Sequence, residues 1–374
     1  MPDRPSAREW VLLNPGPANT SRAVRQALLM PDLCHREPEF FEVMRECRAR
    51  LVRAAGADGF AAVLFAGSGT AAVEATVCSA VPRDRSLLVV VNGVYGDRLV
   101  KIARAHGIPV EALPYDLTSP AVPGDVAGVL RRHPAISHVA LVHHETTTGL
   151  LNPVAEVARV VARAGRRLIV DAMSSLFGEP LDVAAEGIDF VAASANKCLQ
   201  GVPGVSFVLG RRTALDALRD QPPRSVYLDL YNHYATQEAD NTPFTPAVQV
   251  LHAMRAALQE LEREGVTARI LRYAENARVL REGMAALGFE ILVPEAARSN
   301  ILTTFRLLPG LGYDPLHDAM KRRGYIIYAG QGDIRTYAFR VSNMGTLTPT
   351  DMEGVVAAFA EALQELGIAT GVGR

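Results

Sequence analysis

Little in this sequence supports a stapled, metal-bound or membrane-embedded protein. Four cysteines, Cys34, Cys47, Cys78 and Cys198, are scattered over 374 residues without a Cys-x-x-Cys pair. That argues against a zinc site and a disulfide framework and fits a reducing compartment, so no metal is expected. No stretch approaches the roughly 18 uninterrupted apolar residues of a membrane span. Met1 to Glu9 is polar and lacks the apolar run of a signal peptide, so a cytoplasmic protein with no membrane partner is expected. Net charge is nearly absent too: 39 Lys and Arg against 40 Asp and Glu leave −1. Such a balance gives no field for steering nucleic acid, and any anion must be held by a local site. Neither a Walker loop nor a Gly-x-Gly-x-x-Gly fingerprint occurs, which counts against a nucleotide-binding α/β protein.

What is present is material for a large core, 49% hydrophobic residues with 21% charged, at a length that suggests two domains. Short apolar runs alternate with helical patterns, the mark of a mostly parallel sheet covered by helices. Leu87 to Val91, Val139 to Val142, Leu168 to Val170, Phe190 to Ala193 and Val205 to Leu209 read as strands, and Val154 to Ala164 as a helix. From about Pro246 the texture changes. One long helix is expected over Val248 to Leu287, then a smaller α/β unit with Ile301 to Phe305, Asp314 to Arg323, Tyr325 to Tyr328, Phe339 to Val341 and Thr350 to Leu366. Asp220 to Arg224 and Thr236 to Thr242 read as loops. The expected division is a large domain over 12–262 and a small one over 263–374 joined by the N-terminal segment 1–11.

Ligands of open parallel sheets sit beyond the carboxyl ends of the strands, and three polar clusters fall there. Gly67-Ser68-Gly69-Thr70 follows the apolar Ala61 to Phe65 and opens a helical pattern, Ala71 to Ser79. Such a turn presents backbone N–H groups to a phosphate, or is an ordinary capped turn. Asp171 ends a buried strand; it either caps the next segment or pairs with a protonated heterocyclic nitrogen, keeping that ring an electron sink. Lys197 lies 26 residues later among small residues and before a Gly-Val-Pro-Gly turn. A lysine is usually a solvated surface residue, but a strand-end Asp followed by such a Lys is what covalent chemistry on pyridoxal phosphate needs.

Asp171-Ala172-Met173-Ser174-Ser175 together with Ser194-Ala195-Asn196-Lys197-Cys198-Leu199-Gln200-Gly201-Val202-Pro203-Gly204 resembles the class V aminotransferases. Within that family the likeness is greatest to the branch that moves the amino group of 2-aminoethylphosphonate to pyruvate. His144-Glu145-Thr146-Thr147-Thr148-Gly149, Leu228-Asp229-Leu230-Tyr231 and Asn14-Pro15-Gly16-Pro17 extend it, so that it runs from about Leu12 to Leu366. The resemblance implies the fold type I of pyridoxal-phosphate transferases and a pyridoxal 5'-phosphate cofactor. It further implies a small-molecule amino donor, pyruvate as acceptor, and a homodimer. Lys197 would carry the cofactor and Asp171 would pair with its ring nitrogen. Ser68, Gly69 and Thr70 would hold its phosphate, and Thr245 would add a hydroxyl from the other subunit. Tyr95 would lie on the ring face, and Thr146 would reach the ring hydroxyl.

Arg340 would clamp the substrate carboxylate, best as a bidentate pair; its plain alternative is a salt bridge at a sheet edge. Three departures bear on the donor. His35-Arg36-Glu37 is similar to the alanine–glyoxylate and serine–pyruvate branch, Leu176 interrupts an expected Phe-Gly-Gly, and Ser342 replaces a glycine. The alternative donors and acceptors are therefore alanine, serine, glyoxylate or another aminophosphonate. Arg36, Arg98 and His35 stand unranked for the phosphonate. A lyase or desulfurase would need a mobile-loop cysteine, and Cys198 beside Lys197 is expected to point elsewhere.

Overall fold

The structure, a computed structural model, describes residues 9–185 and 187–369. Of the N-terminal segment 1–11 expected to join the small domain, residues 1–8 lie outside the described residues, as does most of the polar stretch Met1 to Glu9.

The main sheet has seven strands: β1 (Phe60–Ala66), β2 (Ser86–Val91), β3 (Val110–Pro114), β4 (Ile136–Val142), β5 (Arg167–Asp171), β6 (Ile188–Ser194) and β7 (Val205–Arg211). Their order is β1-β7-β6-β5-β4-β2-β3. Only β7 runs antiparallel to its neighbours, β1 and β6, so the carboxyl ends of the other six share one edge. The runs are continuously apolar because both faces are covered. Ala62, Leu64, Leu88, Val139, Val170 and Phe207 enter one core with the helices Pro38–Ala54, Val154–Arg163 and Val248–Glu264. The alternate residues Val63, Phe65, Val89, Ala140, Ile169 and Val208 enter the other with Gly69–Ala80 and Val94–Ala105.

A second sheet, β8 (Leu302–Arg306), β9 (Tyr328–Ala329) and β10 (Ala338–Ser342), is antiparallel with β10 in the middle. It shares its own core with the helices Tyr313–Arg322 and Pro349–Glu365, built round Phe289, Phe305, Phe339 and Phe359.

Three local expectations are corrected. The helix over Val248 to Leu287 is two, Val248–Glu264 and Val266–Ala286, broken at Gly265, whose φ of 83° ends the first. Tyr325 to Tyr328 is not one strand: Tyr325–Ile326 pairs in parallel with Val11–Leu12, while Tyr328–Ala329 pairs with β10. Thr236 to Thr242 is not all loop, since the helix Leu230–Glu238 takes its first three residues.

Candidate active site

Asp171 is the last residue of β5, and it is buried. Its Oδ1 accepts the Met173 N–H at 2.9 Å, so the capping role and the cofactor role read from the sequence do not compete: Oδ2 is left for a partner. Burial pushes this carboxyl up to about 6, against the pull of the Met173 N–H and the charges of Arg98 and Lys197.

Lys197 leaves the turn after β6 half-buried and donates to the Pro15 carbonyl. Gly16, at φ +112°, lies so close that a Cβ there would collide with the Lys197 side chain out to Nζ. The early Asn14-Pro15-Gly16-Pro17 segment therefore roofs the amine, and glycine is required in it. Burial first, then the charges of Arg340 and Arg98, brings the amine down to about 8, with Cys198 and Asp171 opposing. Attachment of a carbonyl cofactor needs the neutral amine. The expected result is that the recombination rate of pyridoxal phosphate with stripped protein rises with pH between about 7 and 9, with a midpoint near 8. Stopped-flow absorbance checks it; a midpoint near that of an ordinary lysine would contradict a desolvated amine.

Lys197 and Asp171 line one cavity with Tyr95, His144, Thr146, Met173 and Ser174. Ser68 caps the helix Gly69–Ala80 by position, but its side chain makes no capping bond, which frees the hydroxyl together with the N–H groups of the helix start. A Cβ on Gly69 would run into Met173, so this turn abuts the cavity wall. Thr70 Oγ1 accepts from Arg98 at 3.3 Å, and the same guanidinium lies 4.7 Å from the centre of the Tyr95 ring. Arg36, by contrast, donates to Asn241 and to the Thr242 carbonyl, on the loop that leads to Thr245.

Arg340 is buried on β10, the central strand of its sheet, and no carboxylate among the described residues forms an ion pair with it. The sheet-edge salt bridge is thus not formed. Its Nη1 donates to the Thr146 carbonyl at 2.8 Å, which carries it to the rim of the Lys197 cavity. Thr245 is not brought there: it is exposed and lines a separate pocket with Phe244, Tyr227 and Phe40.

Glu145 has a role that the sequence pattern does not announce. Its carboxylate is buried and accepts from the Tyr95 and Gly96 N–H groups, both at 3.2 Å, and from Thr147 Oγ1 at 2.6 Å. It thereby caps the helix Val94–Ala105 and sets the position of Tyr95. The signal was Gly93: a Cβ there would collide with Glu145. His144 also went unassigned. Its Nδ1 lies 3.1 Å from Ser174 Oγ, its Nε2 has no partner among the described residues, and burial keeps it neutral, at about 3. Cys198 donates to the Ser174 carbonyl at 3.2 Å and packs with Tyr273 and Ile301, away from the Lys197 amine.

A desolvated amine, a buried carboxylate in the same cavity, a helix start with uncommitted donors and an imidazole nitrogen without a partner among the described residues fit a phosphorylated aromatic aldehyde that carries a ring nitrogen and a hydroxyl. Residues 25–332 match the class-V aminotransferase family, and the chain belongs to that family. Among its relatives, the 2-aminoethylphosphonate–pyruvate transaminase of Syntrophobacter fumaroxidans is 43% identical, over 96% of this chain and 97% of that one. The enzyme of that name from Vibrio vulnificus is 41% identical over 95% and 98%. Among solved structures, a Thermus thermophilus aspartate aminotransferase of subgroup IV superposes with a TM-score of 0.86 at 31% identity, over 96% of this chain and 99% of that one. The fold is therefore fold type I, the chain is an aminotransferase, and its cofactor is pyridoxal phosphate.

Proposed function

We propose that this enzyme moves the amino group of 2-aminoethylphosphonate to pyruvate, giving phosphonoacetaldehyde and L-alanine. Near full-length likeness to transaminases of that name supports the substrates. The observation that carries the chemistry is the shared cavity of Lys197 and Asp171. Bound there, pyridoxal phosphate supplies an electron sink for the bonds of the amino-bearing carbon. Lys197 Nζ is the point of attachment and, once freed, takes up and redelivers the proton of that carbon. Asp171 Oδ2 would pair with the ring nitrogen, Thr146 would reach the ring hydroxyl and Tyr95 would lie on the ring face. Ser68, Gly69 and Thr70 would hold the phosphate. Arg340 receives the acid group of each substrate in turn, a phosphonate and then a carboxylate.

We further infer a cytoplasmic homodimer of two-domain subunits, 12–262 and 263–374 with 1–11. The exposed Thr245, displaced from its own subunit's cavity, suits a hydroxyl donated to the partner's phosphate site. The separate aromatic core round Phe339 and the pairing of Val11–Leu12 with Tyr325–Ile326 suit the domain division.

Adding 2-aminoethylphosphonate to the holoenzyme should convert its near-visible absorbance band to that of the amine form, and pyruvate should restore it. A band that responds only to alanine or serine would keep the aminotransferase and remove the phosphonate.

A further inference from the structure

Arginine has five N–H donors and no acceptor, and most of those of Arg340 are committed within the protein. Nε donates to the Ala329 carbonyl at 2.9 Å, and Nη1 donates to the Thr146 carbonyl at 2.8 Å and to Gln331 Oε1 at 3.1 Å. Only Nη2 has no acceptor among the described residues. A guanidinium held this way offers an incoming acid one nitrogen rather than the two-nitrogen fork that a planar carboxylate matches best.

The contact with Gln331 also fixes that side chain. Because Arg340 can only donate, Gln331 must turn its oxygen toward Nη1, which leaves its amide nitrogen with two N–H groups that have no acceptor among the described residues. The position is not a loose one. Gly330 beside it donates to the Ala338 carbonyl at 2.8 Å and has no room for a Cβ, which would collide with the Ile334 and Ala338 carbonyls. Gln331 is therefore held between β9 and β10 with its amide committed in one orientation.

We propose that Gln331 is a specificity residue for the substrate's acid group, its amide nitrogen adding donors beside Arg340 Nη2 so that the pair suits a tetrahedral three-oxygen acid over a planar carboxylate. The proposal rests on Arg340 as the acid-binding residue and deepens the aminophosphonate reading. Two nitrogens displaced from each other meet oxygens pointing in different directions, as those of a phosphonate do. A carboxylate gains the fork only where Gln331 lets go of Nη1.

The test compares ethylphosphonate with propionate, which share an ethyl group and differ only in the acid, by calorimetric titration of the holoenzyme. The wild type should bind ethylphosphonate more tightly. Gln331→Ala should weaken ethylphosphonate by about tenfold, the scale of one hydrogen bond to a charged group. Propionate should be unchanged or tighter, because Nη1 is released. Gln331→Met, closer to glutamine in bulk, must give the same divergence should the alanine variant fail to fold. Parallel weakening of both ligands, or no change in either, overturns the proposal. A wild type that shows the divergence on mutation but is not converted by 2-aminoethylphosphonate would sink the donor assignment and leave the role of Gln331 standing.

Discussion

Replacing Lys197 by alanine should leave a folded protein whose turnover is lower by at least about 10⁴-fold, the upper range for loss of a positioned acid–base group, with loss of covalent attachment added. Folding should survive because, among the described residues, the amine's one hydrogen bond is to the Pro15 carbonyl, and that carbonyl can take a water in the space the side chain vacates. The variant should still take up pyridoxal phosphate through the Ser68–Thr70 turn. After borohydride treatment its cofactor, reduced to the alcohol, should be removable by dialysis, whereas in the wild type borohydride should fix the cofactor irreversibly at Lys197. Mass spectrometry of the treated proteins reads this directly. A cofactor fixed to the alanine variant would place the attachment on another lysine. Lys101 and Lys321 are the other two lysines of the chain, and each lies on a helix, outside the cavity lining.

The clustering at the strand ends was legible because it follows from local pattern: an apolar run ending in Asp171, another ending before Lys197, and a small-residue turn after a third. Buried parallel strands put their carboxyl ends on one edge, so residues distant in sequence converge without any long-range contact being known. The commitments of Arg340 were not legible. They depend on the Thr146 carbonyl, 194 residues away, and on the turn after β9, and nothing in Phe339-Arg340-Val341 indicates which of its donors are already taken. The break at Gly265 was missed for a different reason. A lone glycine inside a helical pattern costs only about 1 kcal/mol, so periodicity carries the eye across it. What ends the helix is the positive φ, a tertiary choice. Tyr325 to Tyr328 reads as a single strand for the same reason, although its two halves serve different sheets.

Asp171→Asn should separate stability from activity in opposite directions. Asparagine keeps an oxygen for the Met173 N–H but loses the charge that would face the cofactor's ring nitrogen, and turnover should fall about 10²- to 10³-fold, the range for removing one preorganised electrostatic contact. In the cofactor-free protein the same change should stabilise. Burial raises the folded carboxyl from 3.8 to about 6, so the native state binds the proton more tightly than the unfolded chain does. Ionisation therefore costs native stability progressively as pH rises from about 4 through 6, and the full cost, up to about 3 kcal/mol for a shift of this size, persists above that. Asparagine does not ionise, and its gain over the wild type should be present at pH 7 to 8 and vanish below about pH 4. Bound cofactor should reverse the order, because a protonated ring nitrogen compensates the aspartate and leaves the asparagine variant without a charge partner. Denaturant midpoints of both proteins, stripped and loaded, at pH 5 and pH 8 check all four signs. An asparagine variant that is less stable than the wild type in the stripped state at pH 8 would mean that Asp171 is satisfied within the protein and is not held for a cationic ring.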